Sequence, residues 1–121
     1  EIKPNFDGSF YLFKKLYNLY SIYCSGLMDE IKKLYEHPSA IILFGSYSFG
    51  EDTTNSDIDI AIIGSKEKDI EFNDSFLEFG QKLERTVFLH FYDRTGKIEK
   101  NLRESIVNGI TLKGGFKIES S

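Results

Sequence analysis

The sequence has little cysteine, no long apolar run and no excess of positive charge, and each shortage excludes a class of protein. Its single cysteine, Cys24, excludes an internal disulfide, and its place in an aromatic helical stretch predicts a buried thiol. No apolar run approaches the roughly 20 residues that span a bilayer, and no signal sequence opens the chain. We therefore expect a cytoplasmic protein without a membrane segment.

Positive charge is outnumbered by negative charge. The 121 residues include 15 Lys and Arg against 19 Asp and Glu, which gives a net charge of -4. Direct binding to duplex nucleic acid is not expected, because such a surface must neutralise many phosphates. A composition with 40% apolar and 15% aromatic residues is typical of a globular protein, and the length suits one compact domain.

The apolar pattern of the first 36 residues predicts a helical segment. Apolar residues recur at steps of three and four from Phe10 to Tyr35, and Gly26 in the middle leaves either one long helix or two, of which we favour one. The stripe is rich in tyrosine. It either packs on its own sheet, which we favour, or forms a surface for a partner or a homodimer. The chain begins at Glu1 without methionine, which suggests processing or a missing upstream domain.

Residues 37–114 alternate strand and helix patterns, and residues 115–121 are expected to be a flexible tail. Predicted strands are Ala40–Phe44, Asp57–Ile63 and 85–92, with a short strand after Ile110, and helices fall between them. The order predicts an α/β (α+β) fold, a small mixed β-sheet packed by helices, with a long N-terminal helix.

Two aspartates open the second strand, where packing alone does not favour them. Side chains two apart share a face of a strand, so Asp57 and Asp59 project together while Ile58 and Ile60 point into the core. Paired carboxylates suit Mg²⁺ or Mn²⁺, which keep waters and share phosphate oxygens. The sequence therefore predicts a metal site at Asp57 and Asp59.

Gly45 and Ser46 begin a turn where the first strand ends. Glycine lets a phosphate approach the backbone, and the amides of a short helix through Tyr47 and Ser48, together with the Ser46 hydroxyl, can hold phosphate oxygens. The turn and the aspartates would clamp one nucleoside triphosphate between them.

The run LFGSYSFGEDTTNSDIDIAII, from Leu43 to Ile63, resembles the minimal nucleotidyltransferases of the DNA polymerase β superfamily, and LRESIVNGITL, from Leu102 to Leu112, resembles their last helix and strand. The resemblance implies that Gly45 and Ser46 bind triphosphate and that Asp57 and Asp59 hold magnesium ions. It also implies transfer of a nucleoside monophosphate, AMP from ATP, to an acceptor with release of pyrophosphate.

Two positions depart from the family pattern. Phe49 stands where relatives commonly carry arginine or lysine, and the third carboxylate of the family falls at Phe88 or His90, neither of which is acidic. His90 is a candidate to replace that acid as a ligand or base. Asp93 is expected to form a turn or a helix cap, and Glu51, Asp52 and Asp69 are expected to be solvated loop charges.

The partners implied by the resemblance are ATP and either a small helical protein, as in toxin-antitoxin pairs, or an upstream DNA-binding domain. Because the third carboxylate is not evident, one alternative to an enzyme is retained. It is a regulatory or antitoxin-like module that binds nucleotide without transferring it and contacts other chains through the aromatic helix.

Overall fold

The computed structural model of the chain describes residues 8–34, 38–64, 74–92 and 98–114. Within these ranges it forms an α+β fold of five helices and four strands. The elements are α1 (Gly8–Ser25), α2 (Leu27–Leu34), β1 (Ala40–Phe44), α3 (Ser46–Phe49), β2 (Ile58–Ile63), α4 (Asp74–Leu83), β3 (Val87–Tyr92), α5 (Lys100–Val107) and β4 (Ile110–Gly114). None of the described helices is both long and apolar enough to cross a membrane.

The four strands form one sheet in the order β3-β2-β1-β4. β1 is antiparallel to both β2 and β4, whereas β2 and β3 are parallel, so the sheet is mixed as predicted. The register pairs Phe44 with Asp59. The last residue of β1 and the start of β2 are therefore neighbours, and the residues between them form a loop at one end of the sheet.

Both faces of the sheet are covered by helices. The larger core joins one face to α1, α2, α3 and α4, and the smaller core joins the other face to α5. In the smaller core Ile98, just before α5, and Ile106 are buried, and Leu102 packs against that cluster. The fully buried residues of the larger core are Ile22, Leu27, Ile31, Ile41, Leu43, Ile58, Ile60 and Ile62.

The expected single N-terminal helix is wrong, because the chain forms two helices that meet at Gly26. Gly26 has φ +85°, a left-handed conformation that glycine adopts readily and that ends α1. The Ser25 hydroxyl then accepts a hydrogen bond of 3.2 Å from the Leu27 amide at the start of α2. The cap allows α2 to turn Leu27 and Ile31 into the core.

The interpretation that the tyrosine-rich stripe packs on its own sheet is confirmed for α2, where Leu27, Met28 and Ile31 are buried in the larger core, but it is wrong for most of α1. α1 turns Asn18 and Ile22 towards the domain and leaves most of its large apolar side chains in solvent. Cys24 is exposed as well, so the predicted buried thiol is corrected. The pattern gave the helical period correctly, but it did not tell which side of the helix meets the sheet.

Strand boundaries agree with the prediction to within two residues. β1 matches it, β2 begins one residue later at Ile58, and β3 begins at Val87. α5 ends at Val107 and is capped by Asn108. His37, Asp69, Asp93 and the predicted tail lie outside the described residues.

Candidate functional site

The turn after β1 is built around Gly45. Its φ of 79° and ψ of -168° fall in a region that is essentially restricted to glycine. A Cβ atom added there would lie 2.9 Å from Oδ2 of Asp59. Only glycine lets the Asp59 carboxylate lie directly against the backbone of this turn, so the geometry explains the residue type.

The chain continues from this turn into α3, as predicted. The Ser48 amide donates a hydrogen bond of 3.0 Å to the Gly45 carbonyl, and the Ser48 hydroxyl donates one of 2.6 Å to the same oxygen. Gly50 ends the helix with φ 71°. Ser46 is therefore the first residue of a short, well-anchored helical turn that follows directly on Gly45.

The two predicted metal ligands lie at the start of β2. Ile58 and Ile60 are fully buried, as strand alternation predicted, while Asp57 is exposed and the Asp59 side chain retains 30% of its accessibility. Phe44 and Asp59 are register partners, so Asp59 projects at the end of the sheet beside the Gly45 turn. The turn and the second aspartate are thereby brought together.

His90 contacts Asp59. Its Nε2 lies 3.1 Å from Oδ1 of Asp59, and its ring meets the ring of Phe44 edge-on with centroids 5.1 Å apart. An ionised carboxylate only accepts hydrogen bonds, so Nε2 is the ring nitrogen that carries hydrogen. Phe88 is the register partner of Asp59, but it has no polar side-chain atom and is 44% exposed.

The donor set fits a cation that arrives with the substrate. Among the described residues no group of three or more His, Cys, Asp and Glu side chains is arranged to hold a metal ion. Mg²⁺ commonly takes only one or two carboxylates from a protein and completes its shell with water and phosphate oxygens. Asp57 and Asp59 supply hard oxygen donors of that kind, and Oδ2 of Asp59 faces the glycine turn.

The prediction for Asp52 is wrong. It was expected to be a solvated loop charge, but its carboxylate is inaccessible to solvent. It accepts hydrogen bonds from Asn18 Nδ2 at 2.7 Å, Arg85 Nη2 at 3.1 Å and Lys14 Nζ at 3.2 Å. We call these four residues the Asp52 cluster. Glu51, its neighbour, is exposed as predicted.

The Asp52 cluster ties three parts of the chain together. Lys14 and Asn18 come from α1, Asp52 from the loop after α3, and Arg85 from the connection between α4 and β3. Asn18 also donates a hydrogen bond of 3.0 Å to the carbonyl of Tyr47, inside α3. The cluster therefore holds α3, and with it the Gly45 turn, against α1.

The electrostatics of the cluster favour the ionised carboxylate. Burial acts to raise the pKa of Asp52, but hydrogen bonds from Asn18, Arg85 and Lys14 outweigh it, so the pKa lies below its usual value. Burial, reinforced by the negative Asp52, raises the pKa of Tyr47 to about 12. Lys14 and Asn18, four apart in an apolar stretch, were the signal in the sequence that this side of α1 is polar.

Comparison with known proteins agrees with this geometry. The family model described as Polymerase beta, Nucleotidyltransferase matches residues 28–113, which is well over half of the chain. The match contains the Gly45 turn, both aspartates and β3, and it leaves α1 outside. None of the curated proteins compared with the sequence matches it. On the strength of the family match, this chain belongs to the polymerase beta nucleotidyltransferase family.

Proposed function

We propose that this protein transfers a nucleoside monophosphate, AMP from ATP, to an acceptor hydroxyl with the help of Mg²⁺. The observation that carries the proposal is the packing of the Asp59 carboxylate against Gly45, where even a methyl group would approach Oδ2 to 2.9 Å. A metal-binding carboxylate and a phosphate-binding turn are useful together only when one ligand contains both the cation and the phosphates.

In this proposal each residue of the site has one task. The backbone amides of the Gly45 turn and the Ser46 hydroxyl hold the triphosphate, and Asp57 and Asp59 hold the cation. When bound, Mg²⁺ neutralises charge on the phosphates and favours departure of pyrophosphate. Among the described contacts, one neighbouring side chain, His90, engages Asp59, and none engages Asp57. The two aspartates therefore leave space for phosphate and water oxygens.

His90 replaces the carboxylate that relatives carry. Its Nε2 hydrogen is donated to Asp59 and orients that carboxylate. In this tautomer Nδ1 has no hydrogen, so it can accept the proton of the attacking hydroxyl. The hydroxyl oxygen forms a bond to the α-phosphorus, the bond to pyrophosphate breaks, and the proton passes to Nδ1. No carboxylic acid at position 88 or 90 is then required.

A second candidate function rests on the same substitution. Because neither Phe88 nor His90 is acidic, the site can bind Mg-ATP without transferring its AMP, as in a regulatory or antitoxin-like module. This candidate shares the triphosphate site and differs only in turnover. The two functions are therefore separated by measuring binding and transfer on the same sample.

The test is transfer of label from α-labelled ATP with Mg²⁺, with the protein alone and with lysate of its source. The parent is compared with Asp57→Ala plus Asp59→Ala, and the matched control is Glu51→Ala, which removes an exposed carboxylate from the same loop. We expect label on an acceptor with the parent and the control but not with the double variant. Label that persists without the aspartates would contradict the proposal, and binding without transfer would favour the second function.

A further inference from the structure

α1 turns polar side chains towards the domain and leaves most of its large apolar side chains exposed to solvent. Lys14 and Asn18 point inward to the Asp52 cluster, whereas six large apolar side chains are exposed, although the hydroxyl of one of them, Tyr23, donates a hydrogen bond of 3.4 Å to the Leu112 carbonyl of β4. These six are between 50% and 72% exposed and form what we call the aromatic face of α1: Leu12, Phe13, Leu16, Tyr17, Tyr20 and Tyr23. A soluble helix normally buries such a face, so its exposure in the single chain indicates an interface.

The aromatic face is large enough for a dimer. Aromatic side chains of about 150 to 250 Å² each, more than half exposed, together with two leucines amount to on the order of 600 Å² per copy. Burying this area on two copies removes on the order of 1,200 Å² from solvent, the lower end of the range for specific interfaces. No second element is needed to reach that size.

Its composition and spacing suit a second copy of the same chain. The six residues of the face are uncharged, so the face itself offers no charge pattern that would select a differently charged partner. Four residues of the face exchange with each other when the helix is reversed about position 18, whereas Tyr17 exchanges with the partly exposed Leu19. Reversing the helix about that point exchanges Phe13 with Tyr23, Leu16 with Tyr20, and Leu12 with the exposed Cys24. In a two-fold antiparallel helix pair each of these contacts occurs twice, once on either side of the axis.

We propose that two copies of this protein pair through the aromatic face of α1, with the two helices antiparallel about a two-fold axis near position 18. Phe13 of one copy then meets Tyr23 of the second copy, and Leu16 meets Tyr20. The Asp52 cluster lies on the inward side of the same helix, so the dimer leaves the contacts of that cluster unchanged. The inference does not depend on the proposed reaction.

The first test is sedimentation equilibrium over a wide range of protein concentration. We expect the parent to reach twice its chain mass of 13.9 kDa. Phe13→Glu plus Tyr20→Glu should weaken self-association at least about 100-fold, because each carboxylate would be buried without a partner against Tyr23 or Leu16 of the other copy. Val107→Glu is the matched control, since it charges an exposed apolar position on α5, and it should leave the dimer intact. Circular dichroism checks that each variant is folded.

The second test fixes the direction of the helices with a short bis-maleimide cross-linker. Positions 12 and 24 of one α1 are about 18 Å apart along the helix axis, beyond such a linker. Leu12→Cys, which retains Cys24, should therefore link position 12 of one copy to position 24 of the other, as peptide mapping will show. The parent, with Cys24 alone, should not cross-link.

Each outcome decides the proposal. A parent that stays monomeric at all concentrations overturns it and assigns the face to a different protein, such as a helical partner or an upstream domain. A dimer that survives Phe13→Glu plus Tyr20→Glu places the interface elsewhere. Cross-linking of the parent through Cys24 would show a parallel pair and overturn the antiparallel arrangement, and this readout remains informative even if the glutamate variant does not fold.

Discussion

Asp52 and Asp59 lie seven residues apart in one loop-and-strand segment, yet their surroundings are opposite. The Asp52 carboxylate is closed to solvent and accepts hydrogen bonds from two cations and an amide. The Asp59 carboxylate is partly open, touches one imidazole and lies against a glycine. The first is fully satisfied by the protein, whereas the second retains accessible oxygen for a ligand.

The difference separates a structural carboxylate from a chemical one. A buried carboxylate with three donors has no free site for a metal ion, and its removal would leave Lys14 and Arg85 without their partner. A partly exposed carboxylate beside the Gly45 turn contributes less to folding and keeps oxygen available for a cation. Substitution of Asp59 should therefore lower activity with little change in stability, whereas substitution of Asp52 should lower stability.

The largest effect is expected from Asp59→Asn. We expect transfer to fall by about 10³-fold, since the substitution removes charge where the cation and phosphates meet, while the free energy of unfolding changes by about 0.5 kcal/mol or less. Initial rates with labelled ATP and urea unfolding of the same preparation measure both quantities. A large loss of stability with unchanged transfer would reverse the roles of the two aspartates.

Asp52→Asn should show the opposite behaviour. Removing the charge from a buried ionic cluster is expected to lower the free energy of unfolding by about 3 kcal/mol. Urea unfolding followed by circular dichroism measures the loss, and Glu51→Gln at the exposed neighbouring position is the control, with almost no effect. Equal stability of parent and Asp52→Asn would show that the cluster contributes nothing to folding.

His90→Ala sharpens the comparison on the side of Asp59. We expect transfer to fall by about 10²-fold, the lower end for loss of a general base, with little change in Mg-ATP affinity. His90→Gln keeps an N–H donor for Asp59 but no basic nitrogen, so it should not restore the rate. Activity of His90→Gln equal to that of the parent would reduce His90 to an orienting role.

The smallest expected effect is a change in the free energy of unfolding at acid pH. The pKa of folded Asp52 is lowered from the ordinary value of 3.8 by its hydrogen bonds. Its stabilisation is therefore complete above that unfolded-state value and is lost as the pH falls through the lower folded-state value. The difference in unfolding free energy between parent and Asp52→Asn should be constant from neutral pH to about pH 5 and should shrink below pH 3.8. A difference that grows in acid would contradict the assignment.

Local sequence patterns predicted much of the fold. Continuous apolar runs predicted β1 and β2 because these strands are buried on both faces, and Gly45 with Asp57 and Asp59 predicted the candidate site from side-chain alternation. The family match to residues 28–113 covers that same part of the chain.

The errors came from contacts between residues far apart in sequence. Asp52 meets Lys14, 38 positions away, and Arg85, 33 positions away, and no local pattern encodes such pairs. The period of α1 likewise predicted a helix but not its rotation, because the rotation is set by the polar contacts of Asn18. The contact between His90 and Asp59 depends on the parallel pairing of β2 and β3.

The most direct test of the central claim is a titration of the ¹⁵N-labelled protein with ATP, with and without Mg²⁺, followed by nuclear magnetic resonance. We predict saturable shifts of the Gly45 and Ser46 amides that require the cation, persist in Glu51→Ala and disappear in Asp57→Ala plus Asp59→Ala. Unchanged Gly45 and Ser46 resonances at saturating Mg-ATP, or shifts that do not depend on the two aspartates, would contradict a joint triphosphate and metal site.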